Sequence, residues 1–146
     1  MFAALADQFC VSGIDSIQRT AMDVRLELVH FIRSDSNLGS QIQANLEDTD
    51  TLEKYLDRVS KNGTWGDGNM LSATSVCYKR CLEILQTNGS QRIIIDNPAV
   101  SPMESLFLGY VSSSTPGLQN HYISLRRDVH IEHNDIQQYT SKSMNC

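Results

Sequence analysis

Cys81-Leu-Glu-Ile-Leu-Gln86, then Thr87-Asn-Gly-Ser90, then Arg92-Ile-Ile-Ile-Asp96 is the stretch on which the fold turns. Upstream of it, apolar residues recur every three or four positions; inside it they come in short runs of branched side chains, the signature of strands. Asn88-Gly89, between the two runs, is the strongest short hairpin signal in the chain, because both residue types tolerate the positive φ of a tight turn. Leu106-Phe-Leu-Gly-Tyr-Val111 and His121-Tyr-Ile-Ser-Leu125 read as further strands, separated by the turn-rich Ser112-Ser-Ser-Thr-Pro-Gly117.

Working back from this change of period, four helices are expected. Phe2, Leu5, Ala6 and Phe9 share one face of a helix running to about Val11, with Ser12-Gly13 as its stop. From about Ser16 to Arg33, Met22, Val24, Leu26, Val29, Phe31 and Ile32 give a second, with Arg25, Glu27 and Arg33 interspersed and Ser34-Asp-Ser-Asn37 at its end. Between Asp50 and Ser60, Thr51 caps a short helix whose Leu52, Tyr55, Leu56 and Val59 form a stripe, and Lys61-Asn62-Gly63 ends it. After the turn Thr64-Trp65-Gly66-Asp67-Gly68, Asn69 to Lys79 is helical again. Helices first and strands second point to an α+β domain, a small and mostly antiparallel sheet packed against N-terminal helices. Residues 1–126 form this domain, and 127–146 read as a polar tail.

With 146 residues, 40% of them hydrophobic and 20% charged, the chain has the apolar material for one core and is no self-repelling polymer. No apolar run approaches the ~18 residues of a membrane span, so a soluble protein without a membrane partner is expected. Lys+Arg of 12 against Asp+Glu of 17 gives a formal charge of −5. No cluster of Lys and Arg is able to neutralise several phosphates, so nucleic acid is not an expected partner, and basic protein surfaces are. Cys10, Cys77, Cys81 and Cys146 fit neither a disulfide framework nor a metal knuckle, which favours a reducing, intracellular setting, cytoplasmic or nuclear. The apolar N-terminus lacks the basic region of a secretory signal and carries Asp7. It opens inside an apolar pattern, from which residues upstream of Met1 are expected.

No Walker loop, dinucleotide fingerprint or EF-hand is present, for Gly63, Gly66 and Gly68 lack the required order. His130 and His133 could share a helix face but match no ordered zinc signature, and Cys77 and Cys81 read as small core hydrophobes. Neither a metal nor a cofactor is expected. His121 differs, because it heads a strand directly after a Pro-Gly loop, a place from which an imidazole can serve as a base. It becomes chemistry only beside a nucleophile, and a thiol at a helix N-terminus is the residue type whose pKa the helix dipole lowers.

Three segments in order, Met1-Phe-Ala-Ala-Leu-Ala-Asp-Gln8, Gly63-Thr-Trp-Gly-Asp67 and His121-Tyr-Ile-Ser-Leu125, resemble the ovarian-tumour (OTU) family of cysteine proteases. The resemblance covers about Met1 to Arg126. It implies a papain-related fold, an intracellular deubiquitinase without cofactor, ubiquitin or a ubiquitinated protein as partner, and His121 as catalytic base. In the family the first segment follows Asp-Gly-Asn-Cys, which puts the nucleophile and the oxyanion loop directly before Met1, upstream of this sequence. The chain as it stands is therefore expected to be inactive. Cys10 is a poor substitute, on the order of 14 Å along the helix from Met1 at 1.5 Å per residue. The family also orients its histidine from the upstream Asp or from an Asn or Asp two residues after the His; here that later residue is Ile123, so the orienting group is expected upstream. Trp65 and Tyr122 match positions read as packing residues. Two other readings stay open: a non-catalytic ubiquitin-binding module of the same ancestry, and an unrelated acidic interaction domain in which His121 is structural.

Overall fold

The structure, a computed structural model, describes residues 1–14, 18–86, 91–97, 105–112 and 121–126. Among the described residues five helices precede four strands: α1 (Phe2–Val11), α2 (Ala21–Ser34), α3 (Ser36–Asn45), α4 (Leu52–Val59), α5 (Gly68–Tyr78), β1 (Leu82–Gln86), β2 (Arg92–Ile95), β3 (Leu106–Val111) and β4 (His121–Ser124). The expected α+β order holds. The tail from 127 and the Asn88-Gly89 turn lie outside the described residues.

Local chemistry accounts for most boundaries. Thr20 and Asp23 form a reciprocal capping box, so α2 begins at Ala21 rather than near Ser16. Asp35 accepts from the amides of Asn37 and Leu38 and starts α3, which the periodicity did not reveal. Thr51 caps α4 through Lys54 and Asp67 caps α5 through Met70. Gly63 at φ 85° turns the chain after α4.

The strands lie in the order β2-β1-β3-β4. β1 and β2 pair antiparallel, as do β3 and β4, whereas the central β1–β3 pairing is parallel, Leu82 opposite Leu106 and Ile84 opposite Leu108. The sheet is thus mixed, with two of its three pairings antiparallel. α1 is apolar on most sides because it is enclosed: it packs on α2 and also on β3 and β4, and Leu5 and Phe9 are fully buried.

Gly109 of β3 is a close approach. A Cβ there would stand 2.7 Å from Ile123 Cγ1 and 3.0 Å from its Cδ1, with Leu125 Cδ2 at 3.3 Å. Gly109→Ala is therefore expected to destabilise by about 1–2 kcal/mol, overpacking outweighing the smaller gain from a stiffer unfolded chain. Gly68→Ala, whose Cβ meets nothing within 4 Å, should stay within about 0.5 kcal/mol of the parent. Urea unfolding midpoints at constant slope measure both, and equal midpoints for the two variants would remove the steric account.

Candidate active site

The segment that opens α1 packs against both of the others singled out in the sequence, the 63–67 turn and β4. Gly66 lies against the start of α1: a Cβ at Gly66 would overlap Met1 Cε and come within 2.9 Å of its Sδ and 3.1 Å of Phe2 Cε2. Asp67, the next residue, acts electrostatically on Tyr122, whose hydroxyl pKa is raised first by burial and then by Tyr110 and Asp67. Tyr122 adjoins His121. The start of α1 thus abuts the turn at Gly66, and α1 packs along β4.

His121 is the first residue of β4, which lies at the edge of the sheet among the described residues, opposite Val111 in register. Its side chain is exposed. Strand alternation places Ile123 on the same side of β4, over Gly109, so the group two residues on is hydrocarbon and orients no imidazole. Tyr122, on the other side, is half-buried and packs its ring 5.1 Å from that of Tyr110.

The turn is held by side chains that the sequence reading passed over. Arg25, one of the residues interspersed on α2, is only 6% exposed. Its Nη1 donates to Val59 O at 2.5 Å and its Nη2 to Thr64 O at 2.7 Å, and its guanidinium lies 4.1 Å from the centre of the Phe2 ring. Burial lowers its pKa, yet a guanidinium stays charged at neutral pH. Its charge also reaches the backbone nitrogen of Met1, where burial first and Arg25 second lower the amine pKa. The signal was present in the sequence: Arg25 stands four residues before Val29 and seven before Ile32, on the apolar stripe itself. Asp67 accepts from the buried Tyr55 hydroxyl at 2.7 Å while capping α5, and burial, then Asp67, push the Tyr55 pKa up. Trp65, read as a packing residue, is 50% exposed. Packing at this turn is done by Gly66 against Met1 and by the Thr64 carbonyl on Arg25.

The cysteines stand elsewhere. Cys10 is in the last turn of α1, nine residues from Met1. Cys77, near the end of α5, has its thiol pKa pushed up to about 11 by burial, then by Glu27. Cys81 is buried, its sulfur 3.4 Å from Asp96 Oδ1. Cys146, His130 and His133 lie outside the described residues. Among the described residues no three His, Cys, Asp or Glu side chains converge as metal ligands would, and no helix is long and apolar enough to cross a membrane.

Against known proteins, the family model described as OTU-like cysteine protease matches residues 1–122. Among solved structures the fold is similar to that of the OTUD1 OTU domain, with a TM-score of 0.60 at 12% identity, over 84% of this chain and 75% of that one. A comparison with curated proteins finds no match.

Proposed function

Because the chain belongs to the OTU-like cysteine protease family, we propose that it is the scaffold of a deubiquitinase in which His121 is the general base and a cysteine immediately before Met1 is the nucleophile. The observation that supports this reading is that α1 packs along β4, the strand that His121 opens, with Gln8 bonded to Ser124 and Leu125 and Met1 against Gly66. A thiol one residue before Met1 would stand at the positive end of α1 and within reach of the Arg25 charge, two influences that favour the thiolate. The family supplies the substrate class, an isopeptide after the C-terminal glycine of ubiquitin.

The chemistry follows from those positions. His121 takes the thiol proton as sulfur attacks the carbonyl carbon, and backbone amides at the helix entrance hold the oxyanion. Collapse breaks the C–N bond, with the imidazolium giving its proton to the leaving lysine amine. Water, deprotonated by His121, then attacks the thioester and frees the carboxylate and the thiol.

Residues 1–146 alone hold the base without that thiol and should form no adduct with a ubiquitin C-terminal electrophile. Cys77, with a pKa of about 11, is thiolate to only roughly one part in three thousand at pH 7.5. The same chain preceded by Asp-Gly-Asn-Cys should form one adduct, on the added cysteine, as read by intact mass. A stoichiometric adduct on Cys10, Cys77, Cys81 or Cys146 would overturn the nucleophile assignment. An inert extended chain that still binds ubiquitin would leave the binding-module reading in its place.

A further inference from the structure

Gln8 is a glutamine in the middle of an apolar helix, only 3% exposed. Its amide nitrogen donates to Ser124 Oγ and to Leu125 O, both at 2.7 Å, and its carbonyl accepts from the Phe107 amide at 2.8 Å. Both amide hydrogens and one acceptor position are thereby used, on β3 and on the end of β4. A buried amide costs free energy unless it is bonded, and these three bonds fix the angle and register of α1 against the β3–β4 pair.

α1 and β4 run in the same direction from the site. Met1 abuts Gly66 and Asp67 acts on Tyr122 at one end, while Gln8 meets Ser124 and Leu125 further along both elements. Seven residues of helix separate Gln8 from Met1, about 10 Å at 1.5 Å each. Three residues of strand separate Ser124 from His121, again about 10 Å. A rotation of roughly 10° about this pin would move either far end by nearly 2 Å, and a misplacement of about 1 Å is enough to cost ~100-fold in rate.

We propose that Gln8 is a positioning residue that sets the distance between the α1 N-terminus and His121. The proposal rests on the functional reading above for its consequence in catalysis, but the geometry is testable without a nucleophile. In the full chain, Gln8→Met removes all three bonds at similar volume. The His121 imidazole C–H cross-peak in a carbon–proton correlation spectrum should shift and broaden, while that of His30, exposed on α2, stays in place. At pH 7.5 Gln8→Glu should displace the His121 peak from that of the parent at the same pH, and the two should converge toward pH 5, because a protonated carboxyl restores a donor to Leu125 O and keeps the acceptor for Phe107. If Gln8→Met does not fold, Ser124→Ala removes one bond and should move the His121 peak less, in the same direction. A lowered melting temperature with an unmoved His121 peak in the folded variants would overturn the proposal, leaving Gln8 as a stabilising residue only. In the chain preceded by Asp-Gly-Asn-Cys, Gln8→Met should lower kcat at least tenfold with KM within twofold; a KM effect alone would also count against positioning. An inactive extended parent would refute the protease reading while the spectra still decide on Gln8.

Discussion

In the chain preceded by Asp-Gly-Asn-Cys, His121→Ala is expected to lower kcat/KM for a ubiquitin C-terminal amide at least ~100-fold, about 2.7 kcal/mol of barrier. The thiol keeps the helix dipole and the Arg25 charge in the variant, so some thiolate persists. What disappears is proton delivery to the leaving amine, without which collapse returns the starting amide. The loss should therefore be smaller for an activated ester, whose leaving group needs no proton. His30→Ala should change the rate less than twofold, since His30 is exposed on α2, away from β4. Ile123→Asn should be neutral or mildly activating, because it adds an acceptor on the His121 side of β4. Fluorophore release measures all three. Equal rates for His121→Ala and its parent would end the general-base assignment.

What made the fold legible was local chemistry with a local signal. Thr51, the turn at 64–68 and the branched runs around residues 82–86 and 92–95 gave elements within a residue or two of those observed. α3 was not legible because only Leu38 and Ile42 carry its apolar side, the third buried position being Gly39, where a Cβ would stand 3.1 Å from Leu52 Cδ2. The parallel β1–β3 pairing left no trace, since register between strands twenty-odd residues apart is set by packing rather than by any turn. The site divided in the same way. His121 was found because its strand context is local, whereas Gln8 and Arg25 were passed over because their partners lie 34 to 117 residues away. A polar residue on an apolar stripe was the signal in both cases.

Arg25 gives the largest expected change in stability. It donates to the Val59 carbonyl, one of the acceptors that the end of α4 leaves without a helical partner, and to Thr64 in the turn, while its face covers Phe2 at the start of α1. Two opposing effects compete. Burying the guanidinium costs desolvation, which is why its pKa is lowered. Removing it strands two carbonyls, about 1–3 kcal/mol each, and loses a partly desolvated cation–π contact of about 1–2 kcal/mol. Arg25→Ala, which also opens a cavity, should cost about 3–5 kcal/mol, on the order of 12 °C or more in Tm for a domain of this size. Arg25→Lys should lie between, because an ammonium reaches one carbonyl well and matches the ring face poorly. Arg25→Met separates the two effects: it removes the desolvation cost and fills the space but leaves both carbonyls without donors, so it should remain about 2 kcal/mol below the parent. The single tryptophan, Trp65, sits beside Thr64 and reports on the turn. Its emission should change in the folded baseline of the Ala and Met variants, at temperatures well below their transitions. A Met variant as stable as the parent, with unaltered Trp65 emission, would mean that desolvation cancels the two bonds and that something other than Arg25 holds the turn against α1.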